Sequence, residues 1–140
     1  MTPAALYKTA AILLVVAALG NASSFLLFWH DVGSSDPARF PFAHARFTYA
    51  QVVLVLALFC SLCILFGAAL AWHLGTLART HPHAIGPLGW LLFAYQLAGV
   101  FVSFNVLSGP VRILAVLLAL CTGGAAWLSR ASRTTVAVAP

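Results

Sequence analysis

Asn21, His30, Asp31, Gln51, Asn105 and Arg112 are the polar side chains that interrupt or close long apolar runs in this sequence. Hydrocarbon penalises such groups, so their presence in or beside a membrane span marks the default place to look for chemistry. His30-Asp31 sets a proton donor beside an acceptor at the end of the first apolar run, where desolvation can bring a pKa toward the working pH. That pair suits cofactor-free acid–base work, an isomerisation or cyclisation of a lipid-soluble substrate. In this reading His30 and Asp31 transfer protons, and Asn21, Gln51, Asn105 and Arg112 orient the substrate. The plain alternative for His30-Asp31 is a solvated helix-end dipeptide.

Arg112 is the most informative of the set. It falls in the first turn of a helix, where a cation opposes the positive end of the helix dipole, so something must compensate it. Asp31 and Asp36, the only carboxylate side chains in the chain, could pair with it. A lipid phosphate or an anionic substrate could do the same. Alternatively the long side chain snorkels to the interface. Gln96, deep in an apolar run, requires a hydrogen-bond partner, ordinarily on another helix.

Other chemistries fit less well. Cys60-Ser61-Leu62-Cys63 spells the C-x-x-C of four-helix quinone-coupled thiol oxidases, but it lies in mid-span and only Cys121 remains to relay electrons. Packing as small apolar residues is the better reading. His30 and His44 lie toward one face and His73, His81 and His83 toward the other, so no metal or haem site is expected; His81-Pro82-His83 lacks the further ligands of a recognised centre. The spans hold no acidic residue, which argues against a small proton-coupled exporter.

The elements that must position these residues follow from composition. A chain of 140 residues that is 63% hydrophobic and 6% charged cannot cover a water-soluble surface. Four apolar blocks each reach the about 20 residues of a span: about Leu6 to Trp29, Thr48 to Trp72, Leu88 to Leu107 and Val111 to Ser129. The first is too long for a signal h-region and stays as a span. The sequence thus predicts an all-α integral membrane four-helix bundle in one domain, with antiparallel neighbours and both termini on the same side. His30 to Pro37 supplies breakers, a polar connection follows to about Phe47, and Arg130 to Pro140 reads as a mobile tail. Ser108-Gly109-Pro110 makes the tightest joint: Gly109 leaves one helix and Pro110 opens the next. Trp29, Trp72, Trp90 and Trp127 fall near helix ends as interfacial anchors.

The net charge of +5 is spread singly at block ends, which excludes a nucleic-acid surface. Lys8, Arg79, Arg130 and Arg133 share one side against Arg39, Arg46 and Arg112, a slight bias toward cytoplasmic termini. Gly67, Ala71 and Gly75 form a small-residue face that either packs within the bundle or meets a second copy or a partner membrane protein.

The stretches Leu6 to Val15 and Phe66-Gly67-Ala68-Ala69-Leu70-Ala71-Trp72-His73-Leu74-Gly75, with the last span, resemble small four-helix bacterial membrane proteins that are DoxX-like in layout. The resemblance implies a bacterial cytoplasmic membrane location and no catalytic residue that carries over; separately, no cofactor is expected. The related pattern has a histidine near the end of the first span where this chain has Asn21, so no role of that histidine carries over. The leading expectation is a membrane-embedded binder of a lipophilic molecule or partner protein. The alternatives are the isomerase or cyclase above and a structural assembly subunit.

Overall fold

A helix gains about 1.5 Å per residue, so about 20 residues cross the about 30 Å hydrocarbon layer. The computed structural model, which describes residues 2–32, 39–42, 45–106 and 109–136, has four helices that meet this requirement. They are α1 (Pro3–Val32), α2 (Tyr49–Thr80), α3 (Gly86–Val106) and α4 (Pro110–Val136). Their apolar stretches are 25, 30, 20 and 21 residues long. The protein is therefore an all-α, multi-pass membrane protein. Phe59, Phe66, Phe101 and Trp127 are each at least 65% exposed, an arrangement that lipid solvates and water would not.

The helices outrun their sequence estimates. α2 continues eight residues past Trp72 to Thr80 and carries Arg79 in its last turn rather than in a loop. α4 reaches Val136, through most of what reads as a tail. Helix propensity persists past the hydrocarbon edge, because backbone hydrogen bonding does not stop where side chains turn polar. The connection after α1 also holds more than a polar loop. β1 (Arg39–Phe42) and β2 (Ala45–Thr48) form an antiparallel two-stranded ladder, with Arg39 opposite Thr48 and Pro41 opposite Arg46.

The joint between α3 and α4 follows the sequence reading. Gly109 has φ of 63°, the left-handed region that glycine enters without a Cβ penalty, and Pro110 is the first residue of α4. At the other end, the 3₁₀ turn Pro82–Ile85 runs into α3 through Gly86, with φ of 41°.

Contacts divide the chain into two compact units, residues 15–66 and residues 1–14 with 67–140. The second unit contains a segment of every helix. Its interior alternates small and large residues at three- and four-residue spacing: Ala4, Tyr7, Ala11 and Leu14 on α1, Ala71 and Leu74 on α2, and Leu118, Thr122, Ala125 and Ser129 on α4 are all buried. Without a hydrophobic drive between helices in lipid, close van der Waals approach holds them together, and small residues permit it. A methyl at Gly75 would come within 3.0 Å of the Lys8 side chain and 3.3 Å of the Ala4 carbonyl, so α1 lies directly on α2 there. Gly67 faces Tyr95 of α3 and Leu14 of α1. The Gly67, Ala71 and Gly75 face is thus occupied by the chain's own helices. Lys8 also places its ammonium 5.0 Å from the centre of the Trp72 ring, a cation–π contact.

In the unit of residues 15–66, α1 and α2 are joined by a polar contact. Asn21 donates from Nδ2 to Ser61 Oγ at 2.9 Å and to the Ala57 carbonyl at 3.2 Å.

Candidate functional site

The residues singled out by sequence fall in both units, and those that can be described are engaged by the protein itself. Asn21 forms the α1–α2 contact just given. Asn105 is exposed and donates to the Phe101 carbonyl one turn back on its own helix, at 2.7 Å. Gln51 is exposed in the first turn of α2 and has a contact within the protein. His30 and Asp31 belong to the last turn of α1, and their side chains lie outside the described residues.

Arg112 has the compensation its position demands. It reaches back across the joint to the end of α3, with Nε 3.4 Å from the Ser103 carbonyl and a terminal nitrogen 3.4 Å from the Phe104 carbonyl. Its guanidinium also lies 5.6 Å from the centre of the Phe104 ring. A helix C-terminus carries partial negative charge, so the cation that is unfavourable at the start of α4 is favourable at the end of α3. The antiparallel joint places those two opposite dipole ends within reach of one side chain.

Gln96 is buried and its Nε2 has no acceptor, so the partner expected from its depth is missing for that group. Cys60, Cys63 and Cys121 are free thiols, with Cys60 exposed on the apolar surface of α2. Among the described residues no three metal-ligating side chains come together.

A cleft among the described residues lies where sequence reasoning placed a loop, an interfacial anchor and the end of the last span. Half-open and about 230 Å³ in volume, it separates the start of α3 from the end of α4, lined by Ile85, Gly86, Pro87, Trp90, Ala126, Ser129 and Arg130. These residues begin one span and end the next, so the cleft lies at the height where lipid tails give way to headgroups. Ile85 and Ala126 form its buried apolar floor, Ser129 supplies a buried hydroxyl, and Arg130 supplies an exposed cation. Ser129 donates to the Ala125 carbonyl at 2.8 Å and has a further contact within the protein.

Packing behind the cleft sets its walls. A methyl at Gly123 would come within 2.7 Å of the Phe93 ring, so this glycine gives Phe93 its place against α4. Phe93 in turn meets Trp90 edge to face, with centroids 5.9 Å apart and planes at 75°. Tyr7 of α1 comes from the other side. It is fully buried, its hydroxyl lies against Gly89 and beside Ser129, and it has no partner in hydrogen-bond geometry. Tyr7, a phenol beside Lys8 and Thr9 in the first half-span, was not singled out by sequence.

Comparison with protein-family models, with curated proteins and with solved structures gives no match.

Proposed function

We propose that this protein binds a lipophilic, amphipathic molecule in the cleft between the start of α3 and the end of α4. The observation that carries the reading is the lining itself: Ile85, Trp90 and Ala126 offer apolar surface, and Ser129 and Arg130 offer polar groups. A molecule with an apolar body and a polar end matches that division, and pockets of this mixed character are the usual form of small-molecule sites. The acid–base reading is weaker, because Asn21, Asn105 and Arg112, three of its orienting groups, are bonded to the protein. A bacterial cytoplasmic membrane remains the location suggested by the DoxX-like layout.

Small molecules co-purifying with the full-length protein provide the test. They should include a distinct lipophilic compound that is lost or depleted in Trp90→Ala and Ser129→Leu but retained in Phe101→Ala, a change on the exposed surface of α3. Bulk lipid identical in all four preparations, with folding and yield matched, would sink the proposal and favour a structural subunit.

A further inference from the structure

We infer that the β1–β2 ladder is an interfacial anchor: it lies on the bilayer at the entry of α2, with the face of Phe40, Phe42 and Phe47 against the lipid. Pairing sets Phe40 opposite Phe47 and Phe42 opposite Ala45, with Arg39 opposite Thr48 and Pro41 opposite Arg46. Successive positions of a strand fall on opposite faces, so positions 40, 42, 45 and 47 share one face and positions 39, 41, 46 and 48 share the other. One face thus carries three phenylalanines and an alanine, and both arginines fall on the opposite one. A one-residue slip of either strand would mix the two sets.

The chain itself fixes the height of the ladder. β2 ends at Thr48, α2 begins at Tyr49, and the apolar stretch of α2 begins at Gln51. From Thr48 to Gln51 the helical rise is about 5 Å, and the headgroup layer is about 5–8 Å deep on each side of the hydrocarbon. The ladder therefore joins its span inside that layer. A two-stranded ladder is marginal in water by itself, so its apolar face needs a cover. Lipid is the cover at hand, because the surface of α2 that follows, with Val55, Leu56 and Phe59 exposed, already meets it. In a headgroup layer, an element with opposed apolar and basic faces settles with the apolar face toward the acyl chains and the cations toward phosphate and water. Aromatic residues are also the type that this layer favours. The ladder, the end of α1 and the start of α2 all belong to the unit of residues 15–66.

Nitroxide labels read the depth. In a Cys60→Ala, Cys63→Ala, Cys121→Ala protein held in phosphatidylcholine nanodiscs, labels on Phe40→Cys, Phe42→Cys and Phe47→Cys should collide with oxygen several-fold more, relative to a water-soluble nickel chelate, than labels on Arg39→Cys and Arg46→Cys. Unfolding curves check that each variant keeps the fold. Equal access of nickel to all five labels would overturn the inference in favour of a solvated loop. Shielding of positions 40, 42 and 47 from both reagents would overturn it in favour of cover by protein. In that case, loss of the shielding at one copy per nanodisc would identify a second copy as the cover, and its persistence the chain's own helices. The unmodified protein gives an independent reading. In nanodiscs containing a phosphatidylcholine with a diazirine near the carbonyl end of one acyl chain, photolabel should fall on Phe40, Phe42 or Phe47 as well as on the spans. Label on the spans with none in residues 39–48 would overturn the inference whatever the cysteine variants show.

Discussion

Asn21 and Ser61 are hydrogen-bonded across α1 and α2, with Nδ2 2.9 Å from Oγ, at a depth where water does not compete for either group. Asn21→Leu should lower stability by about 1 kcal/mol, in line with interhelical polar contacts in membranes, and Ser61→Ala by less. Reversible unfolding in mixed micelles of increasing sodium dodecyl sulfate measures both. The double variant should lose less than the sum of the single losses; full additivity would show that the two side chains are not coupled.

Gly89 leaves room for the Tyr7 hydroxyl, so a methyl there collides with it. Gly89→Ala alone should cost about 1–3 kcal/mol, the range for overfilling a packed interior. Tyr7→Phe removes a buried hydroxyl without a partner and should be close to neutral in stability. Combined, the two should recover most of the Gly89→Ala loss. If Tyr7→Phe gives no rescue, the close approach described here is wrong.

Arg112→Gln removes the positive charge from the end of α3 and should destabilise by about 0.5–1 kcal/mol. Arg112→Lys should retain part of that, since the charge remains while the planar fork is lost. The same unfolding assay resolves the order wild type, Lys, Gln. An Arg112→Gln protein as stable as wild type would mean that the contacts at 3.4 Å contribute nothing.

Gln96→Met replaces a buried amide whose Nε2 has no acceptor with an apolar side chain of similar length. Stability should rise by about 1 kcal/mol, the desolvation cost recovered. A marked loss would instead show that the amide is needed for packing or binding.

Four spans return the chain to its starting side. Reporter fusions at the N-terminus and after Pro140 should therefore report one compartment, and an insertion at Gly109 the other. Opposite reports from the two termini would reduce the number of spans to an odd one.

The four spans and the α3–α4 joint were legible because each depends on a local property: a continuous apolar run, or Gly109 followed by Pro110. Their ends were not, since Arg79 read as a loop residue although nothing in it breaks a helix. The β1–β2 ladder was missed because four-residue strands give too short an alternation to distinguish from a loop. Of the polar residues, Asn21 is held by helix-to-helix bonding and Arg112 by a helix end, partners that lie on other elements. The cleft depends on the start of α3 meeting the end of α4, and the packing near it on Gly89 and Gly123 admitting Tyr7 and Phe93. Such pairings between distant residues leave no mark in local composition.

The division of contacts also bears on the order of events during synthesis. Residues 15–66 form a local unit, available as soon as α2 has emerged. The first fourteen residues instead belong with the last three helical segments, so Tyr7 and Gly89 can meet only after α3 has entered the bilayer, and Leu6 and Gly124 only after α4. Until then only the part of the first half-span that packs on Gly67 and Gly75 of α2 has its native cover. Completion of the cleft therefore waits on the final span, which carries Ala126, Ser129 and Arg130.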